Sequence, residues 1–178
     1  AGLDADVLAP SLAPDIDRLV EPGIVDASWA SGPTKGFVSN SIVVFAVRKG
    51  NPKNVKDWND LTAQGVAVVT PNPKTSGGAR WNYLAAWAYG AKRFAGDEAK
   101  TAEFVGAIYN NAPILDTGAR GSTTTFAQRE IGDVLITWEN EAFRTLDEFG
   151  ADKFEVVYPS LSILAEPPVA VVEGNADK

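Results

Sequence analysis

The chain has 178 residues, enough for a packed core in one domain or two small ones. Hydrophobic residues make up 45% and charged residues 22%, and the 16 Gly and 11 Pro show no repeat period, which excludes disordered and fibrous classes. The formal net charge is -7 and there is no Lys/Arg stripe, so we expect neither nucleic-acid binding nor attraction to anionic membranes.

Three residue types are missing altogether. Without His and Cys, the chain cannot build imidazole or thiolate metal sites, Ser-His-Asp or Cys-His catalysis, or disulfides, and we expect no metal and no cofactor. Met is also absent, which indicates a chain that is processed, truncated or both. No apolar run approaches the roughly 18 residues of a membrane span, so we expect no membrane insertion.

Strand and helix signals alternate from the start of the chain. A strand is predicted over 4–9 and a brief helix over 14–20. The β-branched run at 41–48 predicts a strand buried on both faces. A short helix around 55–61 and a strand over 66–70 follow.

The same alternation continues through the second half. The longest helix is predicted from residue 79 to about 94, and Asp97 is the expected N-cap of a helix reaching about 110. The remaining predicted elements are strands over 114–116, 133–138 and 154–158, a short helix through 125–128, a helix over 139–149 and an extended segment over 159–172. This order predicts an α/β fold with a mostly parallel sheet flanked by helices, and ligands beyond the carboxyl ends of its strands.

Three strand-to-helix junctions are candidate anion sites, because free backbone N–H groups point out of a helix start. The first covers 75–81 and contains Ser76, the second covers 117–122, and the third is the strand end at Trp138. Spacing alone leaves two alternatives open. Ser76 could equally serve only as a helix cap, and Trp138 could serve only in packing.

Charged residues near these junctions have structural explanations. Arg80 and Arg120 are expected to pair with Asp116, Glu139 or Glu141 and hold the loops. Glu139 and Glu141 suggest a carboxylate pair for glycoside hydrolysis, but residues two apart on a helix point in different directions, so a solvated helix start is the favoured interpretation.

Five motifs together resemble the bacterial periplasmic sulfate-binding proteins of ABC importers, and the resemblance covers essentially the whole chain. The motifs are RKGNPK at 48–53, DWNDL at 57–61, TPNPKTSGGARWNY at 70–83, GARG at 118–121 and WENE at 138–141. The resemblance implies a type II periplasmic binding protein that is not an enzyme, with one lobe and part of the other present. It implies that 1–40 is part of the first lobe, 41–156 the second lobe, and 157–178 a hinge crossing that returns to the first.

The resemblance also implies a ligand, its contacts and its partners. The implied ligand groups for sulfate are the Ser76 hydroxyl, the N–H groups of Gly77, Gly78 and Ala119, and the Trp138 indole, with Arg80 and Arg120 in support. The implied partner is the membrane permease of an ABC importer, the implied location is the periplasm, and thiosulfate is a close second ligand. The family's N-terminal contact segments and C-terminal helices have no counterpart here, so we expect the chain to be incomplete at both ends. A carboxylate-based hydrolase using Glu139 or Glu141, and an inactive truncated lobe, remain the alternatives.

Overall fold

The computed structural model describes residues 5–174. The strands are β1 (Val7–Leu8), β2 (Ser41–Arg48), β3 (Val68–Pro71), β4 (Ile114–Asp116), β5 (Val134–Trp138), β6 (Phe154–Val157), β7 (Leu164–Ala165) and β8 (Ala170–Val171). The helices are α1 (Ala13–Asp17), α2 (Gly77–Arg93), α3 (Glu98–Asn110), α4 (Ala119–Thr123) and α5 (Glu139–Phe149), with a 3-10 helix at Trp58–Thr62 and a π-helical turn at Thr124–Gln128.

These elements form two compact units. The smaller unit combines the residues up to Asn40 with those from Ala165 onwards, and the larger unit is Ser41–Leu164. The larger unit ends at Leu164, whereas the resemblance implied a second lobe that ends at residue 156, and the assignment of the lobes stays a prediction. The segment after residue 156 stays with this unit because Val157 pairs with β2 and the Ser162 hydroxyl donates to a β2 carbonyl at 2.6 Å.

The smaller unit contains a two-stranded antiparallel sheet. In it β1 pairs with β8, with Val7 opposite Val171. Its core packs Ile16 of α1 against Val25 and Ala170. The strand predicted over 4–9 is reduced to two residues, and Asp4 lies outside the described residues.

The larger unit is built on a mixed sheet in the order β4-β3-β5-β2-β6, with β7 pairing β2 off this path. β3 is parallel to both β4 and β5, whereas β2 is antiparallel to both β5 and β6. Along the path β2 alone runs against the other four strands. The expected α/β sheet flanked by helices is confirmed, and the reversed β2 is the departure from parallel pairing.

The sheet is covered on both faces, as predicted for β2. Val43 through Val47 are all at most 1% exposed. Phe45 and its same-face neighbours pack with α2 and α3, and the Trp58 ring meets Phe45 edge-on at 4.9 Å. Ala46 on the opposite face packs with Phe126 and Phe154. Because both faces of β2 are buried, nearly every residue in the run at 41–48 is apolar.

Helix boundaries follow their caps. The Ser76 side chain accepts from the Ala79 N–H at 3.3 Å, so α2 begins at Gly77, earlier than its apolar pattern indicated. Asp97 caps α3 as predicted, accepting from Lys100 N–H at 3.0 Å. The helix expected near 55–61 is instead one 3-10 turn, closed by a capping box from Asp57.

Candidate functional site

The ends of three parallel strands meet at one edge of the larger sheet. β3, β5 and β4 lie side by side and run in the same direction, so their carboxyl ends share that edge. Each strand leads into a helix start, namely that of α2, α5 or α4. The free N–H groups at the N-termini of these three helices therefore lie at the same edge of the sheet.

The first two junctions are tied to each other by hydrogen bonds. The Thr75 hydroxyl donates to Thr117 O at 3.0 Å, and the Asn72 N–H donates to Asp116 O at 2.8 Å. The Asn72 side chain also accepts from Lys74 N–H at 2.9 Å, which closes the turn before α2. The two turns consequently keep a fixed spacing.

Gly78 is the point at which all three junctions come together. A β-carbon placed on Gly78 would lie 3.7 Å from Ser76 Oγ, 4.0 Å from the β-carbon of Ala119 and 4.0 Å from Trp138 Nε1. The missing side chain leaves a small cradle lined by one residue from each junction. The structure thus brings together Ser76, Gly78, Ala119 and Trp138, and Gly77 lies beside them as the first residue of α2.

The cradle is lined by hydrogen-bond donors. Trp138 Nε1 is buried, and within residues 5–174 it has no hydrogen-bond partner. An indole N–H can only donate, and a buried donor without an acceptor costs about 1–3 kcal/mol. The Ser76 oxygen already accepts from Ala79, so its own proton is available for donation. Such a set of neutral donors fits an acceptor-rich anion.

The two arginines next to the junctions contact different parts of the structure. Arg80 Nε donates to Pro73 O at 3.3 Å, within the loop before α2. The Arg120 guanidinium lies 3.5 Å from the carboxylate of Glu148, which is also 3.9 Å from Arg144. The expected pairing of Arg120 with Asp116, Glu139 or Glu141 is therefore wrong, because α5 presents Glu148 on the side where Arg120 lies.

The carboxylate of Glu139 is engaged at the start of α5. It accepts a hydrogen bond from the Tyr158 hydroxyl at 2.8 Å, and this bond raises the pKa of Tyr158 above its ordinary value. Tyr158 follows β6, so this contact joins the end of that strand to the α5 junction.

Two features of the described residues bear on other functions. No helix between residues 5 and 174 has the length and apolar character needed to cross a membrane. Over the same residues, no group of three or more His, Cys, Asp or Glu side chains could hold a metal ion.

Sequence reasoning missed two residues that shape the cradle. Thr75 joins the first two junctions, and the buried Asn82 of α2 donates to Ile136 O of β5 at 3.0 Å. An available signal for Asn82 was its place on the face of α2 that also carries Gly78 and the buried Ala85, since a polar residue on a buried face needs a partner.

Comparisons with known proteins agree with the fold. The chain is 55% identical over 178 residues to the sulfate-binding protein of Escherichia coli (strain K12), covering 99% of this chain and 54% of that protein. It is 54% identical over 179 residues to the thiosulfate-binding protein of Pseudomonas aeruginosa, again covering 99% and 54%. The chain thus spans about half the length of the curated relatives it matches.

Solved structures give the same result. The sulfate-binding protein SubI from Mycobacterium tuberculosis H37Rv superposes with a TM-score of 0.88 at 39% identity, covering 97% of this chain and 59% of that chain. The periplasmic binding protein AfuA from Actinobacillus pleuropneumoniae, with fructose-6-phosphate bound, shares the fold with a TM-score of 0.75 at 20% identity, covering 99% and 60%. None of these relatives is a hydrolase, so the carboxylate-based alternative is not supported.

The family comparison covers the whole chain. The family model described as bacterial extracellular solute-binding protein matches residues 1–178. Together with the α/β sheet and the donor-lined cradle at its edge, this match leads to one conclusion: the chain belongs to the family of bacterial extracellular solute-binding proteins.

Proposed function

We propose that the cradle around Gly78 binds sulfate, or the closely related thiosulfate, through the Ser76 hydroxyl, the Trp138 indole and the N–H groups of Gly77, Gly78 and Ala119. The observation that carries the proposal is the buried Trp138 Nε1, which has no acceptor among the residues that the structure describes and lies 4.0 Å from the position of a Gly78 β-carbon. The names of the relatives at 55% and 54% identity supply the ligand class.

Neutral donors favour sulfate over phosphate. Sulfate is fully deprotonated at neutral pH, whereas phosphate keeps at least one proton that needs an acceptor. Among the proposed ligand groups only the Ser76 oxygen can accept; Ala79 N–H engages one of its two lone pairs, and in the proposed site its O–H group is turned towards the anion as a donor. The O–H of a bound phosphate would therefore lose a hydrogen bond, at a cost of about 1–3 kcal/mol.

The family supports a role for the chain in ligand transport. In this proposal the protein is a non-catalytic receptor in the periplasm that delivers its ligand to the membrane permease of an ABC importer. The larger unit serves as the second lobe, and residues 1–40 with those from Ala165 onwards belong to the first. Arg80 supports the site by holding the loop before α2, and Arg120 by its contact with Glu148.

The test is a sulfate titration of the 178-residue chain followed by NMR, with sodium chloride of matched ionic strength as the reference. We expect the Trp138 indole resonance and the amides of Gly77, Gly78 and Ala119 to move with sulfate. Trp138→Phe identifies the indole signal, and Trp87→Phe, which alters a ring stacked on Tyr83 away from the cradle, is the matched control.

Phosphate at neutral pH completes the comparison. It should shift these resonances much less than sulfate at equal concentration. Sulfate that moves none of the cradle resonances beyond the chloride reference would refute the proposal.

A further inference from the structure

The buried side chain of Asn82 links helix α2 to two strands of the sheet. Asn82 is 4% exposed, and its Nδ2 donates to Ile136 O on β5 at 3.0 Å and to Thr70 Oγ1 on β3 at 3.3 Å. Ile136 lies two residues before Trp138 on the same strand. A single amide group thus joins the helix that carries Ser76 to the strand that ends in the indole.

Helical geometry places this contact directly behind the cradle. Residues four apart on a helix lie on the same face, one turn from each other, so Asn82 and Gly78 face the same side of α2. A β-carbon on Gly78 would point towards Trp138 Nε1 at 4.0 Å. The hydrogen bond of Asn82 to Ile136 therefore fixes how α2 is rotated where Gly78 meets the indole.

Fold stability alone does not account for an asparagine at this place. Among the described residues Asn82 Oδ1 is buried and has no hydrogen-bond partner. A buried acceptor without a donor destabilises the folded state, and an apolar side chain of similar size would avoid that cost. The Asn82 side chain thus combines a hydrogen-bonded Nδ2 with an Oδ1 that has no partner in the described part of the chain, which favours a role in positioning α2.

We propose that Asn82 is a positioning residue of the anion site: by binding Ile136 O and Thr70 Oγ1, it holds the N-terminus of α2 in register with Trp138. The inference rests on the proposed function, because the register matters only if Gly78 and the indole bind one ligand together. Asn82 itself does not need to touch the anion.

The decisive variant is Asn82→Leu in the 178-residue chain, because leucine matches the size and removes both the hydrogen bonds and the unmatched oxygen. We expect the indole resonance of Trp138 and the Gly78 amide to shift before any ligand is added. Sulfate affinity should fall on the order of tenfold, as for groups that orient the ligands of a site. Because Asn82→Leu leaves Ile136 O and Thr70 Oγ1 without this donor, some loss in the thermal midpoint is expected. A merely structural role would lower the midpoint without weakening sulfate binding, as is expected of the control variant Asn111→Leu.

Two further variants complete the design. Thr70→Val keeps the shape and removes one of the two hydrogen bonds, so the affinity should fall by about threefold, between the parent and Asn82→Leu. Asn111→Leu is the matched control, because Asn111 Nδ2 also donates to two carbonyls, Leu61 O at 2.8 Å and Ala63 O at 3.0 Å, but supports the end of α3. That variant should lose stability and keep its sulfate affinity.

The outcomes separate the two proposals. If the parent responds to sulfate and Asn82→Leu or Thr70→Val binds it equally well, the positioning role is wrong while the sulfate site stands. If Asn82→Leu shifts neither the indole nor the Gly78 amide without ligand, the positioning role is also wrong. If the parent chain does not respond to sulfate, the sulfate site is refuted, and the proposed positioning role of Asn82 falls with it.

Discussion

At the scale of single residues, the Ser76 hydroxyl and the Trp138 indole are the two side-chain donors beside Gly78. Each would give one hydrogen bond to a charged ligand, so Ser76→Ala or Trp138→Phe should weaken sulfate binding by about 1.5–3 kcal/mol. Calorimetric or NMR titration measures this loss. Glu141→Gln, in the first turn of α5 and without a donor in the proposed site, should have a much smaller effect. A Trp138→Phe variant with parental affinity would show that the indole does not bind the ligand.

At the scale of elements, the packing of α3 on α2 should make the protein sensitive to alkali. Tyr109 of α3 lies 6.1 Å from the Tyr83 ring of α2, and burial raises the pKa of Tyr109 from 10.0 to about 12. The folded state thus holds the neutral phenol, and the unfolded state loses its proton first. This contribution to stability is complete below about pH 10 and is lost as pH rises towards about 12.

Urea unfolding across that pH window provides the measurement. The parent should lose more free energy of unfolding between about pH 10 and pH 12 than Tyr109→Phe, because phenylalanine has no proton to release. Both proteins should behave alike at neutral pH except for a constant offset. Equal alkaline losses in the two proteins would mean that the phenol of Tyr109 ionises as readily in the fold as in the unfolded chain.

At the scale of the whole molecule, the net charge and the length of the relatives bear on how tightly the proposed site should hold sulfate. The formal charge of -7 gives no long-range attraction for anions, so binding depends on local donors. The relatives are about twice as long as the matched segment. We expect a chimera in which this chain replaces the matching segment of the Escherichia coli relative to bind sulfate on the order of a hundredfold more tightly than the chain alone, because linked parts then contact one ligand together.

Calorimetry of the chain and the chimera tests this expectation. The chimera with Trp138→Phe is the internal control, since it should lose affinity while its fold is kept. Tight, stoichiometric sulfate binding by a monomer of the 178-residue chain would contradict the expectation, because the donors around Gly78 would then suffice alone.

Local sequence determined the elements whose causes are neighbours in the chain. Asp97 predicted the start of α3, and the β-branched run at 41–48 predicted a strand buried on both faces. The glycine-rich turn after Ser76 indicated an anion-binding helix start, and this assignment stays a prediction. Caps, turns and strand periodicity depend on residues a few positions apart, so they can be recognised without the fold.

Tertiary structure decided everything that joins distant residues. The direction of β2, the meeting of Ser76, Ala119 and Trp138 at Gly78, and the pairing of Arg120 with Glu148 all depend on how the strands order themselves in the sheet. Strand order is set by hydrogen bonds and packing between segments far apart in the chain, and periodicity carries no record of which strand lies beside which. The sequence by itself therefore predicted which junctions are candidate anion sites, and only the order of strands in the sheet determined that residues of all three lie around Gly78.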